Sequence, residues 1–366
     1  MLESDIKPMS QRANLIRLAS LIIWDEAPMA NKAVLECVES ALRSVMHSDL
    51  PFGGKVVLLS GDFRQTCPVI PRGTREDIVE ASIKSSCLWP DFDIYKFTVP
   101  VRQAEDDELR VYLDGVGEDA TKTVPIEYLD ICYSTSDLID FVFPQDVLEN
   151  PLRCVSRSIL CPTNRQVDLY NRELLKRITG QYRCYLSADS IKEATDVGII
   201  APSGYIDYHR EHTPPGLPPH KLEVKVNGVY RLMRNLSVDR GLVKNCRVIV
   251  KAVGSSVISV QVMTKNGPLP EEVLLPRITF TYSIPGSGFT LCRRQFPLAP
   301  AYATTFNSCQ GLTLDKVGVD LTNPVFSHGQ LYTALSRIRK RQDGMLRVRR
   351  GALTIENVTF TELLCL

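Results

Sequence analysis

Paired cysteines are the first thing missing from this chain. It has 11 cysteines, an odd and scattered set without a Cys-x-x-Cys. That excludes a secreted disulfide framework and gives no zinc-ligand spacing. A reducing compartment fits such a set, and the nucleus is the location expected. Long apolar runs are missing too, so nothing in the sequence spans a bilayer and no membrane partner is expected. The start, Met1-Leu2-Glu3-Ser4-Asp5, is polar and has no apolar signal core. An excess of one charge is also absent: 43 Lys and Arg stand against 42 Asp and Glu, for a net charge of +1. Bulk charge therefore selects no partner, although a local basic groove can still hold nucleic acid. There is no internal repeat and no long low-complexity tract. With 44% hydrophobic and 23% charged residues, the composition is that of a globular chain, and 366 residues suffice for two domains.

What is there begins with four short apolar runs, each ending in polar residues. Leu21–Trp24 ends at Asp25-Glu26, and Val56–Leu59 at Ser60-Gly61-Asp62. Residues 158–161 end at Pro162-Thr163-Asn164, and 317–319 at Asp320. Such runs read as buried parallel strands, and ligands of open α/β sheets sit at strand carboxyl ends. Helical spacing of apolar residues predicts helices over residues 33–46 and 167–178. The fold class expected is α/β. A first domain covers residues 1–104, an acidic irregular linker 105–150, and a second domain 151–366. Within the second, residues 187–285 form a β-rich insert, with runs such as 229–233, 248–253 and the alternating 257–262. The cluster Pro214, Pro215, Pro218, Pro219 favours extended backbone, so a helix through His209 and His212 is not expected. No Cys or acid completes a metal set with that pair.

Several motifs carry possible chemistry. Asp25-Glu26 after an apolar strand can hold Mg²⁺ through the first carboxylate and activate water through the second. Two exposed acids at a strand end are the bland alternative. Gly61-Asp62-Phe63-Arg64-Gln65 offers Gln65 to a γ-phosphate or an attacking water, or is a plain turn. Arg102, in Val99-Pro100-Val101-Arg102-Gln103, can stabilise a transferring phosphoryl group, or is a surface arginine. Gln310-Gly311 before Thr313 makes a tight turn suited to phosphate or nucleic-acid backbone. In 329–337, Leu331, Ala334 and Leu335 share a face to be buried, leaving Tyr332, Ser336 and Arg337 to face a cleft. A Gly-x-x-x-x-Gly-Lys-Ser/Thr phosphate loop is not found beside these motifs. The sole Gly-Lys, Gly54-Lys55, is followed by Val56.

The order of these motifs resembles that of superfamily 1 helicases. Their wording resembles the petite-integration-frequency (PIF) helicases, especially the helicase part of Helitron-type elements. The phrases that carry it are residues 22–29, 61–65, 233–236 with Gly241-Leu242, 294–298, 308–314 and 325–337, so the likeness runs from about Pro8 to Arg341. It implies two RecA-like domains that close on ATP and Mg²⁺ while single-stranded DNA crosses both, and a small β-barrel insert in the second. It implies 5′-to-3′ DNA unwinding driven by ATP hydrolysis, on single strands and junctions, in repair, recombination or telomere maintenance.

By the same resemblance Asp25 holds Mg²⁺, Glu26 is the base, Gln65 senses the γ-phosphate, and Arg102 and Arg337 are arginine fingers. Gln310 and Gly311 contact nucleotide, while Thr163, Asn164 and Thr313 lie near DNA. Two departures from the family pattern stand out. The phosphate loop and the segments around it are absent from the sequence, which leads to the expectation of an N-terminally truncated, inactive chain, since losing one oxyanion-type donor alone commonly costs roughly 10²–10³ in rate. Ser308 stands where many relatives have lysine.

Overall fold

The structure is a computed structural model, and it describes residues 2–97, 101–118, 122–193, 204–264, 267–284 and 287–365. Val99, Pro100 and Pro285, which entered the sequence reading, lie outside the described residues. The protein is mixed α/β and divides into two compact units. One comprises Met1–Tyr133, Phe306–Thr313 and Val319–Leu366, the other Ser134–Thr305 and Leu314–Gly318. This partition puts residues after 318 with the N-terminal ones, where the sequence reading put them in the second domain.

In the first unit, Leu21–Trp24 and Val56–Leu59 form a two-stranded parallel sheet in the register Leu21–Val56 to Trp24–Leu59. Ile22, Trp24, Val57 and Leu59 point to one face and pack on Leu35 and Leu42 of helix Lys32–Met46. Asn31 caps that helix by accepting from the Ala33 N–H. The opposite face holds Leu21, Ile23, Val56 and Leu58. It was expected to be buried, yet Ile23 is 62% and Val56 64% exposed. Side chains alternate across a strand, and here an element covers only one side.

Residues 105–150 are not the irregular linker expected. They contain helix Asp107–Glu118, strands Thr123–Pro125 and Asp130–Cys132, and helices Thr135–Val142 and Gln145–Leu148. The acidic composition hid a helical stripe, because Leu109, Leu113 and Val116 fall on one buried face. Thr123–Pro125 pairs antiparallel with Thr354–Glu356, and Asp130–Cys132 pairs parallel with Gly344–Arg347.

In the second unit, strand Arg157–Cys161 pairs parallel with Ala303–Thr305. Ile159, Leu160 and Cys161 are fully buried. Asn171 of helix Asn164–Arg177 locks this pair: its Oδ1 accepts from the Tyr302 and Ala303 N–H groups, and its amide donates to the Ala303 carbonyl. The stretch expected as a β-rich insert at 187–285 holds antiparallel strands, and the sheets they form draw in strands on either side of it, Tyr182–Leu186, Phe289–Gln295 and Leu298–Pro300. Five strands run in the order Gly267–Pro276, Val257–Thr264, Arg247–Val253, Val229–Leu232, Leu298–Pro300. Three more run Ile278–Ser283, Phe289–Gln295, Ala188–Glu193, and a further pair joins Tyr182–Leu186 to Lys221–Lys225.

Arg293, fully buried, grips Asp189 with two bonds, Nε to Oδ1 at 3.0 Å and Nη2 to Oδ2 at 2.9 Å. A helix does form over Tyr205–Glu211, against expectation. The proline cluster begins only at Pro214, past its C-terminus, so it stops the helix instead of preventing it. Among the described residues no helix is long and apolar enough to cross a membrane.

Candidate nucleotide site

In the first unit, Asp25 and Glu26 directly follow the first of its two parallel strands, and the Gly61–Gln65 loop follows the second. Asp25 is exposed, and its Oδ1 accepts from the Ser60 hydroxyl at 2.8 Å and from the Glu26 N–H at 3.0 Å. Glu26 adopts a left-handed backbone with φ 54°. That conformation is uncommon for a residue with a Cβ and is a form of strain found at functional sites. Glu26 is half-buried. Burial and the Asp25 charge raise its pKa, while Arg337 and Arg102 pull the other way. A carboxylate with a raised pKa near two arginines can accept a proton from water. Gly61 lets the two strand ends meet, because a Cβ there would lie 2.3 Å from Pro28 Cδ.

Gln65 and Gln310 are brought together: the Gln310 amide donates to Gln65 Oε1 at 3.2 Å, and Gln310 Oε1 accepts from Thr66 Oγ1 at 3.0 Å. Thr66 in turn accepts no such role from sequence, yet its backbone N–H donates to Thr333 Oγ1 at 3.2 Å. Arg102 donates to the Ser336 carbonyl, and the buried Gln103 donates to the carbonyls of Ser336 and Ile338 at 3.3 and 2.8 Å. Burial and the neighbouring Arg337 lower the pKa of Arg102.

Arg337 is 2% exposed, with Nε donating to the Thr333 carbonyl and Nη2 to Ser336 Oγ. The expectation that one face of 329–337 is buried and the other open is corrected here. All of helix Gln330–Leu335 is buried, with Ser336 and Arg337 beside it. Tyr332 donates its hydroxyl to Asp62 Oδ2 at 3.0 Å and lies under the Arg64 guanidinium, 4.7 Å from the ring centroid. Arg64 also donates to Asp62 and Asp114. Burial opposes its charge, and the Asp62 hydrogen bond outweighs that and raises its pKa. Asp62, Thr66, Gln103, His328 and Thr333 were not read as site residues. Their partners are remote in sequence, and no local pattern marks them.

Lys55 has a structural task. Its ammonium donates to the Arg17 and Ala19 carbonyls at 2.7 and 2.8 Å, at the end of helix Gln11–Leu18. Gly311 has φ +73° with open space around it, and Thr313 is exposed. In the second unit, Thr163 caps helix Asn164–Arg177, accepting from the Gln166 N–H and donating to Gln166 Oε1 at 2.9 Å. Asn164 is exposed at the first turn of that helix. Asp25 fits Mg²⁺ as one carboxylate ligand on an exposed side chain, the sparse protein contribution Mg²⁺ commonly takes when phosphates and waters complete its shell. Among the described residues no group of three or more His, Cys, Asp or Glu is arranged to hold a metal by itself.

Comparison with known proteins gives one consistent result. Residues 1–113 match the family model described as PIF1-like helicase. The ATP-dependent DNA helicase PIF1 of Danio rerio is 27% identical over 347 residues, covering 90% of this chain and 47% of its own length. The human protein of that name is 27% identical over 326 residues, covering 88% and 45%. The chain thus spans about half the length of the curated relatives it matches. Among solved structures, Pif1 helicase from Candida albicans superposes with a TM-score of 0.66 at 24% identity, over 93% of this chain and 74% of that one. Bacteroides Pif1 in complex with ADP-AlF3 and ssDNA gives 0.65 at 24% identity, over 100% and 76%. The fold is that of these helicases, which have two RecA-like domains.

Proposed function

We propose that this relative of the PIF1-type superfamily 1 helicases carries the water-activating and phosphate-sensing part of an ATP-dependent DNA helicase, moving 5′ to 3′ on single-stranded DNA and acting at junctions in the nucleus. The observation that carries the reading is the convergence, within one unit, of Glu26 with the charges of Asp25, Arg102 and Arg337. The 1–113 family match and the likeness to a Pif1 bound to ssDNA support it.

In this reading Asp25 is the protein's ligand to Mg²⁺, which neutralises phosphate charge when bound. Glu26 takes the proton from the attacking water. Gln65, tethered to Gln310, orients the γ-phosphate. Arg102 and Arg337 neutralise charge on the transferring group. Gly311 adds backbone contact to nucleotide. Thr313 and Asn164 lie near DNA, whereas the Thr163 hydroxyl is already engaged in its helix cap. The insert holds or splits the duplex. Roles in repair, recombination or telomere maintenance follow from the same likeness.

A second reading is favoured by Lys55. The only Gly-Lys of these 366 residues commits its ammonium to backbone carbonyls. On that reading the chain is the remnant of a mobile element, a DNA-binding or interaction fragment that performs no catalysis.

The deciding experiment measures ATP hydrolysis by these 366 residues with and without single-stranded DNA, using Glu26→Gln as control. No turnover above background is expected for the chain by itself. Nucleotide-independent binding of single-stranded DNA by folded protein would then support the second reading. DNA-stimulated turnover that vanishes in Glu26→Gln would overturn it and establish the first.

A further inference from the structure

His328 has no part in the chemistry above, yet it is fully buried and both its ring nitrogens are engaged. The backbone N–H of Phe360 points to Nδ1 at 2.8 Å. An N–H can only donate, so Nδ1 must carry a lone pair. The other nitrogen, Nε2, lies 2.7 Å from the Phe63 carbonyl, which can only accept. Two backbone groups thus fix the ring as the neutral Nε2–H tautomer. The Phe360 ring stacks on it, 5.3 Å between centroids.

Phe63 is the middle of the Gly61–Gln65 loop, and His328 is not its only tether to the segment that follows. Gly329 sits so close that a Cβ would lie 2.4 Å from the Arg64 carbonyl oxygen and 2.5 Å from the Gln65 carbonyl carbon. Tyr332 holds Asp62, and Thr333 holds the Thr66 N–H. Four of the six residues 328–333 therefore grip residues 62–66. Of these grips, only the one through His328 depends on a group that titrates near neutral pH.

We propose that His328 is a positioning residue: as a neutral Nε2–H imidazole it pins the Gly61–Gln65 loop to the segment carrying Arg337, and so sets where Gln65 stands. The inference deepens the hydrolase reading, but its test needs no nucleotide. Protonation would put a hydrogen on Nδ1 against the Phe360 N–H and force one of the two apart. Burial lowers the pKa of His328; Arg75 acts in the same sense, while the Phe63 carbonyl, Asp62 and Glu362 oppose it.

Phe63 carries its own reporter. Its ring meets Trp89 edge-on at 5.6 Å, and the chain has 2 tryptophans, so Trp24→Phe leaves Trp89 as the single emitter. In that background, titration from about pH 8 to about 5 is expected to shift Trp89 emission with a midpoint below the ordinary histidine value of about 6.5. His328→Phe should abolish the transition. His328→Gln, which keeps a side-chain donor toward Phe63, should hold the neutral-state emission throughout. The Gln65 side-chain amide signal, identified by its loss in Gln65→Leu, should move with the same midpoint and fall silent in His328→Phe.

An unchanged titration in His328→Phe would overturn the pin. A Gln65 signal indifferent to His328 would overturn the positioning role even if the pin is real. Should the variants fail to fold, nitrogen-15 spectra of the unaltered chain decide alone: a ring protonated at Nδ1 in the neutral state contradicts the proposal, and one protonated at Nε2 upholds it. A chain that never hydrolyses ATP can still pass every one of these tests, so the two readings fail separately.

Discussion

Strands Leu21–Trp24 and Arg157–Cys161 read alike in sequence, as short apolar runs closing on polar residues, but their surroundings differ completely. The second is packed on both faces, with Ile159, Leu160 and Cys161 at 0% exposure. The first packs through Ile22 and Trp24 and leaves Leu21 and Ile23 in solvent. Apolarity on both faces shows what a parallel strand is suited to, and only the neighbouring elements decide whether that suitability is used. The strand end tolerates the difference: Asp25 and Glu26 are fixed by Ser60, by the local backbone and by Gly61, none of which depends on the bare face.

The contrast can be broken or sharpened by mutation, most strongly in the second unit. Asp189→Ala leaves the guanidinium of Arg293 buried without its carboxylate, and should cost about 3–5 kcal/mol. Chemical denaturation measures this loss, and a cost near zero would mean that water reaches Arg293. The same pair predicts acid sensitivity. Burial disfavours the charged carboxylate, and the Arg293 and Ser187 hydrogen bonds outweigh burial, so the pKa of Asp189 is lowered. Its contribution is present above the ordinary aspartate value of about 3.9 and is lost as pH falls through the lower folded value.

Leu160→Ala should cost about 2–5 kcal/mol by opening a cavity. Thr163→Ala should cost about 1 kcal/mol through the lost cap, a change that also tests whether Thr163 serves DNA in addition. Unfolding curves and single-strand affinity on the same protein separate those two roles. Ile23→Thr should stay within about 0.5 kcal/mol of the parent, because that side chain already faces water. A loss there as large as at Leu160 would show by thermal melting that the face is covered in solution.

The parts of the fold legible in sequence were those written locally. The four strands, the last of them running Lys316–Asp320, follow from apolar runs, and the helices expected over 33–46 and 167–178 form as Lys32–Met46 and Asn164–Arg177, while Asp25-Glu26 is placed by its strand end. The helix Asp107–Glu118 carried an equally local signal in Leu109, Leu113 and Val116, obscured by acids on its open face. The Gln65–Gln310 contact joins residues 245 positions apart, and that from His328 to Phe63 joins residues 265 apart. No period or spacing encodes such a pairing, and neutral polar groups become informative only when the fold surrounds them. The exposure of Leu21 and Ile23 was illegible for a related reason, since residue type reports what a strand prefers and not what covers it.

Glu26 holds a left-handed backbone that glycine or asparagine adopts more readily. Replacement by either would relax the chain while deleting its carboxylate. On the proposed role of Glu26 as the base, selection for robustness and selection for turnover pull in opposite directions at this one position. In a population freed from the need to hydrolyse nucleotide, position 26 should be among the first to drift toward glycine or asparagine, so its identity serves as a record of whether an engine is still being maintained.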